Sequence, residues 1–199
     1  MIASPAFAVA ANTLLVAFVS TDAPALGPNT IVNNMTNNGA AQTWTRAARS
    51  AVQLGDAEVW WTFVSAARLS MTATAVLSSS QPANITVVGF TGAANTMVGA
   101  ASIAVNNPTG SPVQPSATLT TTRANSWVYG VGVDWDLGRV LTPSANATMV
   151  RRVISSTNDT YWVERLTTPQ ILAPVPVTMG VTGTATDRWN FALIEIRQP

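Results

Sequence analysis

Short apolar segments recur along this chain, and turn-forming clusters of Gly, Pro, Asn and Asp separate them. The alternation predicts strands at Phe7–Ala10, Thr13–Ser20, Thr43–Arg49, Glu58–Val64, Ser70–Leu77, Ile85–Thr91 and Val98–Ile103. It predicts six more at Ala117–Thr122, Ser126–Asp134, Thr148–Ser155, Thr160–Leu166, Val175–Val181 and Trp189–Arg197. Breakers fall between them, among them Gly27-Pro28-Asn29, Asn37-Asn38-Gly39, Gly55-Asp56, Asn106-Asn107-Pro108, Asn158-Asp159 and Gly183-Thr184. Helical periodicity is nearly absent, and Ala sits beside Thr, Val and Ser rather than beside Glu, Leu and Lys. The expectation is all-β: one antiparallel β-sandwich, jelly-roll-like, spanning residues 1–199 as a single domain.

Two segments are apolar on both faces, Leu14–Val19 and Ala192–Ile196. Such strands belong at the middle of a sheet, and their places near the chain ends predict that they pair with each other. Asn106–Pro115 reads as the long crossover. No repeat with a period of 20–50 residues is visible.

Composition narrows the function. Hydrophobic residues make up 47% of the 199 and charged residues 10%, against roughly 25% in ordinary soluble domains. A chain this apolar and this poor in charge is expected to fold and to present a surface that sticks to neighbours. It has no Cys, no His and no Lys. Thiolate nucleophiles, disulfides, imidazole acid–base chemistry, Cys- or His-based metal sites and Schiff bases are therefore excluded. The net charge of +1 gives no electrostatic case for nucleic acid or an anionic membrane. The N-terminal apolar stretch lacks the positive flank of a signal peptide. At about 15 residues it also falls short of the roughly 20 needed to span a bilayer, so no membrane insertion is expected.

Phe7-Ala8-Val9, NTLLVAFVSTD (12–22), QTWTRAAR (42–49), AEVWWTFVSAA (57–67) and ITVVGFTGA (85–93) form one series of strand patterns. SWVYGVGVDWD (126–136), DTYWVERL (159–166) and DRWNFALIEIR (187–197) extend it. The series resembles a β-sandwich module of exported bacterial surface proteins and actinophage minor tail proteins. The resemblance covers most of the chain and implies an extracellular, cell-surface or virion location. It implies adhesion, decoration or sugar recognition, without assigned chemistry.

One strand stands out as a candidate site. Along Ser126–Asp136, Trp127, Tyr129, Val131, Val133 and Trp135 share one face, and Val128, Gly130, Gly132, Asp134 and Asp136 share the other. Glycines within a strand mark the close approach of a ligand or of another side chain, such as Trp60 or Trp162. The two carboxylates beyond them could hold Ca²⁺ or sugar hydroxyls, although Asp-x-Asp alone is a weak calcium pattern. The seven Trp residues offer stacking surfaces for a glycan, and Trp135, between two Asp residues at a strand end, is the best exposed candidate. Trp44, Trp127 and Trp189 read as core, and of Trp60 and Trp61 one enters the core while the other faces out or lies under a loop. Carboxylates are the only acid–base groups left, and Asp56/Glu58 and Asp134/Asp136 are the same-face pairs. Glycosylation sequons occur at Asn34, Asn84, Asn146 and Asn158. Two expectations follow: an assembly module with protein partners or self-association and no catalytic residues, or a glycan-binding module using Gly130, Gly132, Asp134, Trp135 and Asp136.

Overall fold

The computed structural model describes residues 1–92, 98–106, 113–183 and 186–198. Its elements are all strands, and all their pairings are antiparallel. The first part of the chain forms β1 (Ile2–Ala3), β2 (Phe7–Val9), β3 (Thr13–Thr21), β4 (Val32–Asn37) and β5 (Thr45–Ser50). It continues with β6 (Asp56–Val64), β7 (Arg68–Met71), β8 (Ala73–Leu77) and β9 (Ala83–Thr91). The second part forms β10 (Val98–Asn106), β11 (Ser116–Thr120), β12 (Trp127–Asp134) and β13 (Thr142–Pro143). It ends with β14 (Ala147–Ile154), β15 (Thr160–Leu166), β16 (Pro176–Thr182) and β17 (Trp189–Ile196).

These strands stack as four layers. An outer sheet β1-β8-β4, with the β2-β7 pair beside it, covers an inner sheet β5-β6-β3-β9. A second inner sheet, β10-β17-β12-β15-β14, is covered by an outer sheet β11-β16-β13. Three apolar cores fill the gaps. Leu15, Ala17 and Val19 of β3 meet Val32, Met35, Ala73 and Ala75 in the first lobe. Trp162, Phe191 and Leu193 meet Leu119, Val177, Met179 and Val181 in the second. Between the lobes, Leu14, Val16 and Phe18 face Tyr129, Val131, Val133, Ala192 and Ile194.

The two lobes have the same connectivity. In each inner sheet the central strand (β3, β12) lies between the fourth strand of its series (β6, β15) and the last (β9, β17). The fold-over strands (β8, β16) likewise sit at the centre of each outer sheet. The nested pairs, first with last and second with next to last, alternate between the two sheets as in a rolled hairpin. The details repeat as well. Asn12 and Asn125, each just before its central strand, hold positive φ angles of 55° and 59°. The next hydroxyl in each case, Thr13 or Ser126, donates to the carbonyl three residues back. A bulge interrupts β5 between Arg46 and Ala48, and β14 between Met149 and Arg151. Arg49 and Arg152, at matching registers, donate to the carbonyls of Val32 and Leu141.

The lobes pack back to back. Phe18 stacks on Tyr129 with ring centroids 5.6 Å apart, and Ser20 Oγ donates to the Gly132 carbonyl at 3.0 Å. Asn190 of β17 is bonded to the loop after β5, through Gln53, Leu54 and Gly55. The matching Asn84 of β9 accepts from Arg151 of β14.

The all-β sandwich architecture is as the alternation predicts. Two expectations change. Leu14–Val19 and Ala192–Ile196 are central in their sheets, but they do not pair. They lie in different sheets on opposite sides of the shared core, and each is buried on both faces. Trp61 does not face outward, because β6 is also covered on both sides. Trp60 enters the first-lobe core while Trp61 packs at the lobe junction. The expected crossover falls largely on 107–112, outside the described residues.

A shared core ties the stabilities of the lobes together. Phe18→Ala is expected to cost about 3–5 kcal/mol. Tryptophan fluorescence and far-UV circular dichroism should still report one coincident urea transition. Two separated transitions would show that the lobes fold independently.

Candidate functional site

The Ser126–Asp136 segment forms β12 and the turn after it, and the structure fills the face that looked cleared. A Cβ on Gly130 would meet the Phe191 ring at 2.6 Å and Leu193 at 2.8 Å. A Cβ on Gly132 would collide with the Trp162 indole, which stacks on Phe191 at 5.7 Å. Both glycines therefore make room for core aromatics and are closed to a ligand. Gly132→Ala should overpack this stack and cost about 1–3 kcal/mol in chemical denaturation.

The three polar members of the candidate site are engaged inside the protein. Asp134 is fully buried and accepts the Asp136 N–H at 3.1 Å, shaping the turn. Asp136 turns away to Arg188. It accepts that residue's backbone N–H at 2.5 Å and its Nε at 3.0 Å, and the Arg188 Nη2 also closes on it. The same guanidinium lies over the Trp135 ring, 4.2 Å from its centroid. Trp135 Nε1 donates to the Ala23 carbonyl of the first lobe at 3.0 Å. Trp135 is thus half-buried, capped on one face and hydrogen-bonded across the lobe junction. Asp134, Trp135, Asp136 and Arg188 together make a clip, not an open sugar platform. The two carboxylates do not converge, and no group of three or more His, Cys, Asp or Glu suited to a metal occurs among the described residues.

The other carboxylates follow the same rule. Eight of the nine acids are buried, and the ninth is Asp136. Asp22 caps the Ala23 N–H, Asp159 accepts from Ser155 and Thr157, and Asp187 pairs with Arg139. Asp56 and Glu58 form the one close pair, sealed in the first lobe. Glu58 binds Arg49 at 2.7 Å, Trp60 Nε1 at 2.8 Å and the Val32 N–H at 2.8 Å. Burial, and then Glu58 beside it, push the Asp56 carboxyl well above the usual range. Both carboxyls are fully buried, and neither Asp56 oxygen has a hydrogen-bond partner. Burial alone would also raise Glu195. Hydrogen bonds from Ala100 and Thr122 outweigh it and hold the group below its ordinary value.

Comparison with family models, curated proteins and solved structures finds no match to this chain. Function is therefore read from the residues themselves.

Glu164 was not among the sequence candidates. It lies on the second-lobe core face of β15, two residues from Trp162. Neither its carboxyl oxygens nor the Trp162 Nε1 has a hydrogen-bond partner. At the matching positions of β6 the order is reversed, Glu58 then Trp60, and there the two bond each other. The swap of Glu-Val-Trp for Trp-Val-Glu is legible in the sequence, but only once the lobes are superimposed. Burial pushes Glu164 up to about 8. Its native pKa then exceeds its unfolded value of roughly 4.3. The unfolded chain loses this proton first, so stability falls as pH rises from about 4.3 to about 8 and levels off above. The loss by pH 7 is on the order of 3 kcal/mol. Glu164→Leu should therefore raise the melting temperature at pH 7–8 and flatten its pH dependence. A variant with the wild-type pH slope would remove Glu164 as the source.

Proposed function

We propose that this chain is a non-catalytic assembly module of a virion, tail or cell-surface structure, joining its partners through low-charge surfaces. The observation that carries the reading is the inward placement of all the acids: not one carboxylate is an exposed side chain. Without His, Cys or Lys, those nine carboxylates and two buried tyrosines are the only side chains suited to acid–base work. What remains outside is Thr, Asn, Ser and Ala, a few Arg, and large apolar side chains. Leu69 is 96% exposed and Leu26 90%, and Ile171 and Leu172 are exposed as neighbours. A surface of this kind associates by packing and main-chain hydrogen bonds rather than by charge. The extracellular, surface or virion setting rests on the resemblance of the strand series alone.

The glycan alternative has less support. Its aromatic is capped by Arg188, and its carboxylates are buried or ion-paired. Of the sequon asparagines, Asn84 is buried, so it is not available as a glycan acceptor in the folded chain.

Sedimentation over a concentration series, with and without candidate virion or surface proteins, tests the assembly reading. The expected outcome is self-association or partner capture that changes less than about threefold between 0.05 and 1 M NaCl. The expectation follows because exposed ion pairs contribute little here. A monomer at high concentration that binds no partner, or association abolished by salt, would count decisively against it.

A further inference from the structure

The matched connectivity of the lobes leaves one strand without its counterpart. In the second lobe the outer edge of β17 is covered by β10, which pairs with it from Val98 to Asn106. The corresponding strand of the first lobe is β9, which among the described residues pairs with β3 alone.

That edge also lacks the protection its fellows carry. Of the other inner-sheet edges, β5 has a bulge and Arg46 and Arg49, and β14 has a bulge and Arg151 and Arg152. The β10 edge has a bulge, and its Ala104 carbonyl accepts from Ser50. Strand β9 is nine residues of regular ladder with no charge, no Pro and no bulge. Natural edges left this plain are templates for another strand.

A groove runs beside it on the outer face. One hollow of about 280 Å³ is lined by Pro5, Phe7, Ile85, Val87 and Arg151. The next, about 260 Å³, is lined by Phe7, Val9, Leu15, Val87 and Gly89. Both share Phe7 and Val87, so they follow β9 at the two-residue pitch of side chains on one strand face. The residue matching Gly89 in β17 is Glu195, whose carboxylate fixes β10 by accepting the Ala100 N–H. Strand β10 brings only Gly99 and Ala100 to that place. At β9 the latch is replaced by a glycine beside a hollow that Phe7, Val9, Leu15 and Val87 line together with Thr13 and Thr91.

We propose that the β9 edge accepts an extended, uncharged peptide strand from a partner protein, with aliphatic side chains two residues apart filling the two hollows. This deepens the assembly reading and rests on it. Main-chain hydrogen bonds would supply affinity and the hollows the preference for aliphatic over small or charged residues.

The test uses the full chain and three acetylated, amidated seven-residue peptides of Ser and Thr. One carries Val and Leu at the third and fifth positions, one Ala at both, and one Glu at both. Binding is read by calorimetry, and strand addition by amide exchange of residues 83–91. The aliphatic peptide should bind saturably, at least tenfold more tightly than the others, and slow exchange along β9. Val87→Lys should abolish this. Val150→Lys, on the exposed outer strand β14, should not. Circular dichroism and thermal melting establish that both variants are folded. If Val87→Lys unfolds the chain, Thr91→Lys at the end of the same groove should weaken binding at least fivefold.

No saturable binding, equal binding of the Ala peptide, or binding unaffected by folded β9 variants overturns the proposal. So does a wild-type dimer dispersed by Val87→Lys, which would make a second copy the occupant. Salt-insensitive partner capture that survives Val87→Lys would overturn the β9 site and leave the assembly reading standing.

Discussion

The structure depends on burying two sheets twice. Each inner sheet is covered by its own outer sheet on one face and by the other lobe on the opposite face. All nine residues of β3 and all eight of β17 are buried as a result. Polar groups on these strands must then find partners inside the protein. Ser20 uses a carbonyl of the other lobe, Asn190 a loop of the other lobe, and Glu195 the backbone of β10 and of residues 122 and 123. The lobes are held together by the same residues that complete their separate hydrogen bonding. A large apolar interface of this sort makes one mechanical body rather than two hinged ones.

The same constraint explains what the sequence disclosed. Two-sided apolar runs at Leu14–Val19 and Ala192–Ile196 identified central strands correctly. A run of this kind records only that both faces are covered, not by what, so a lobe on the far side looked like a partner strand. β4 escaped notice because Val32 and Met35 are its only buried side chains and Asn fills much of the rest. The two-residue strands β1 and β13 are too short to show a period. The duplication was hidden for a different reason. Matching positions of β3 and β12 share no residue type between Thr13 and Thr21, although Asn12 and Asn125 precede both. Backbone conformation and register survive where side chains have been exchanged.

Much the same holds for the candidate site. The glycines of β12 were legible as a place where something bulky comes close, and Trp162 was among the side chains that could fill it. Their occupants are fixed by registers across three strands, which no local pattern carries. Asp136 and Trp135 read as exposed because Arg188, 52 residues from Asp136, is brought back to them only by the pairing of β12 with β17. Glu164, next to Arg165 at the end of its strand, carries the local pattern of a solvated charge pair. Arg165 does reach outward, over the Trp127 ring at 4.8 Å, but the alternation of β15 drives its neighbour into the core.

The inward placement of the acids also fixes how the outside of the protein responds to its surroundings. Both tyrosines are buried, there is no His, Lys or Cys, and the charged side chains left in contact with water are arginines and Asp136, which is ion-paired with Arg188. A guanidinium keeps its proton at any pH a cell or an environment presents. The chain ends and the Asp136–Arg188 pair aside, the charge at the surface is carried by arginine, and the carboxyls that burial raises, Asp56 and Glu164, lie in the interior. A particle tiled with such a module would keep the same colloidal character in acid soil, neutral cytoplasm or alkaline water.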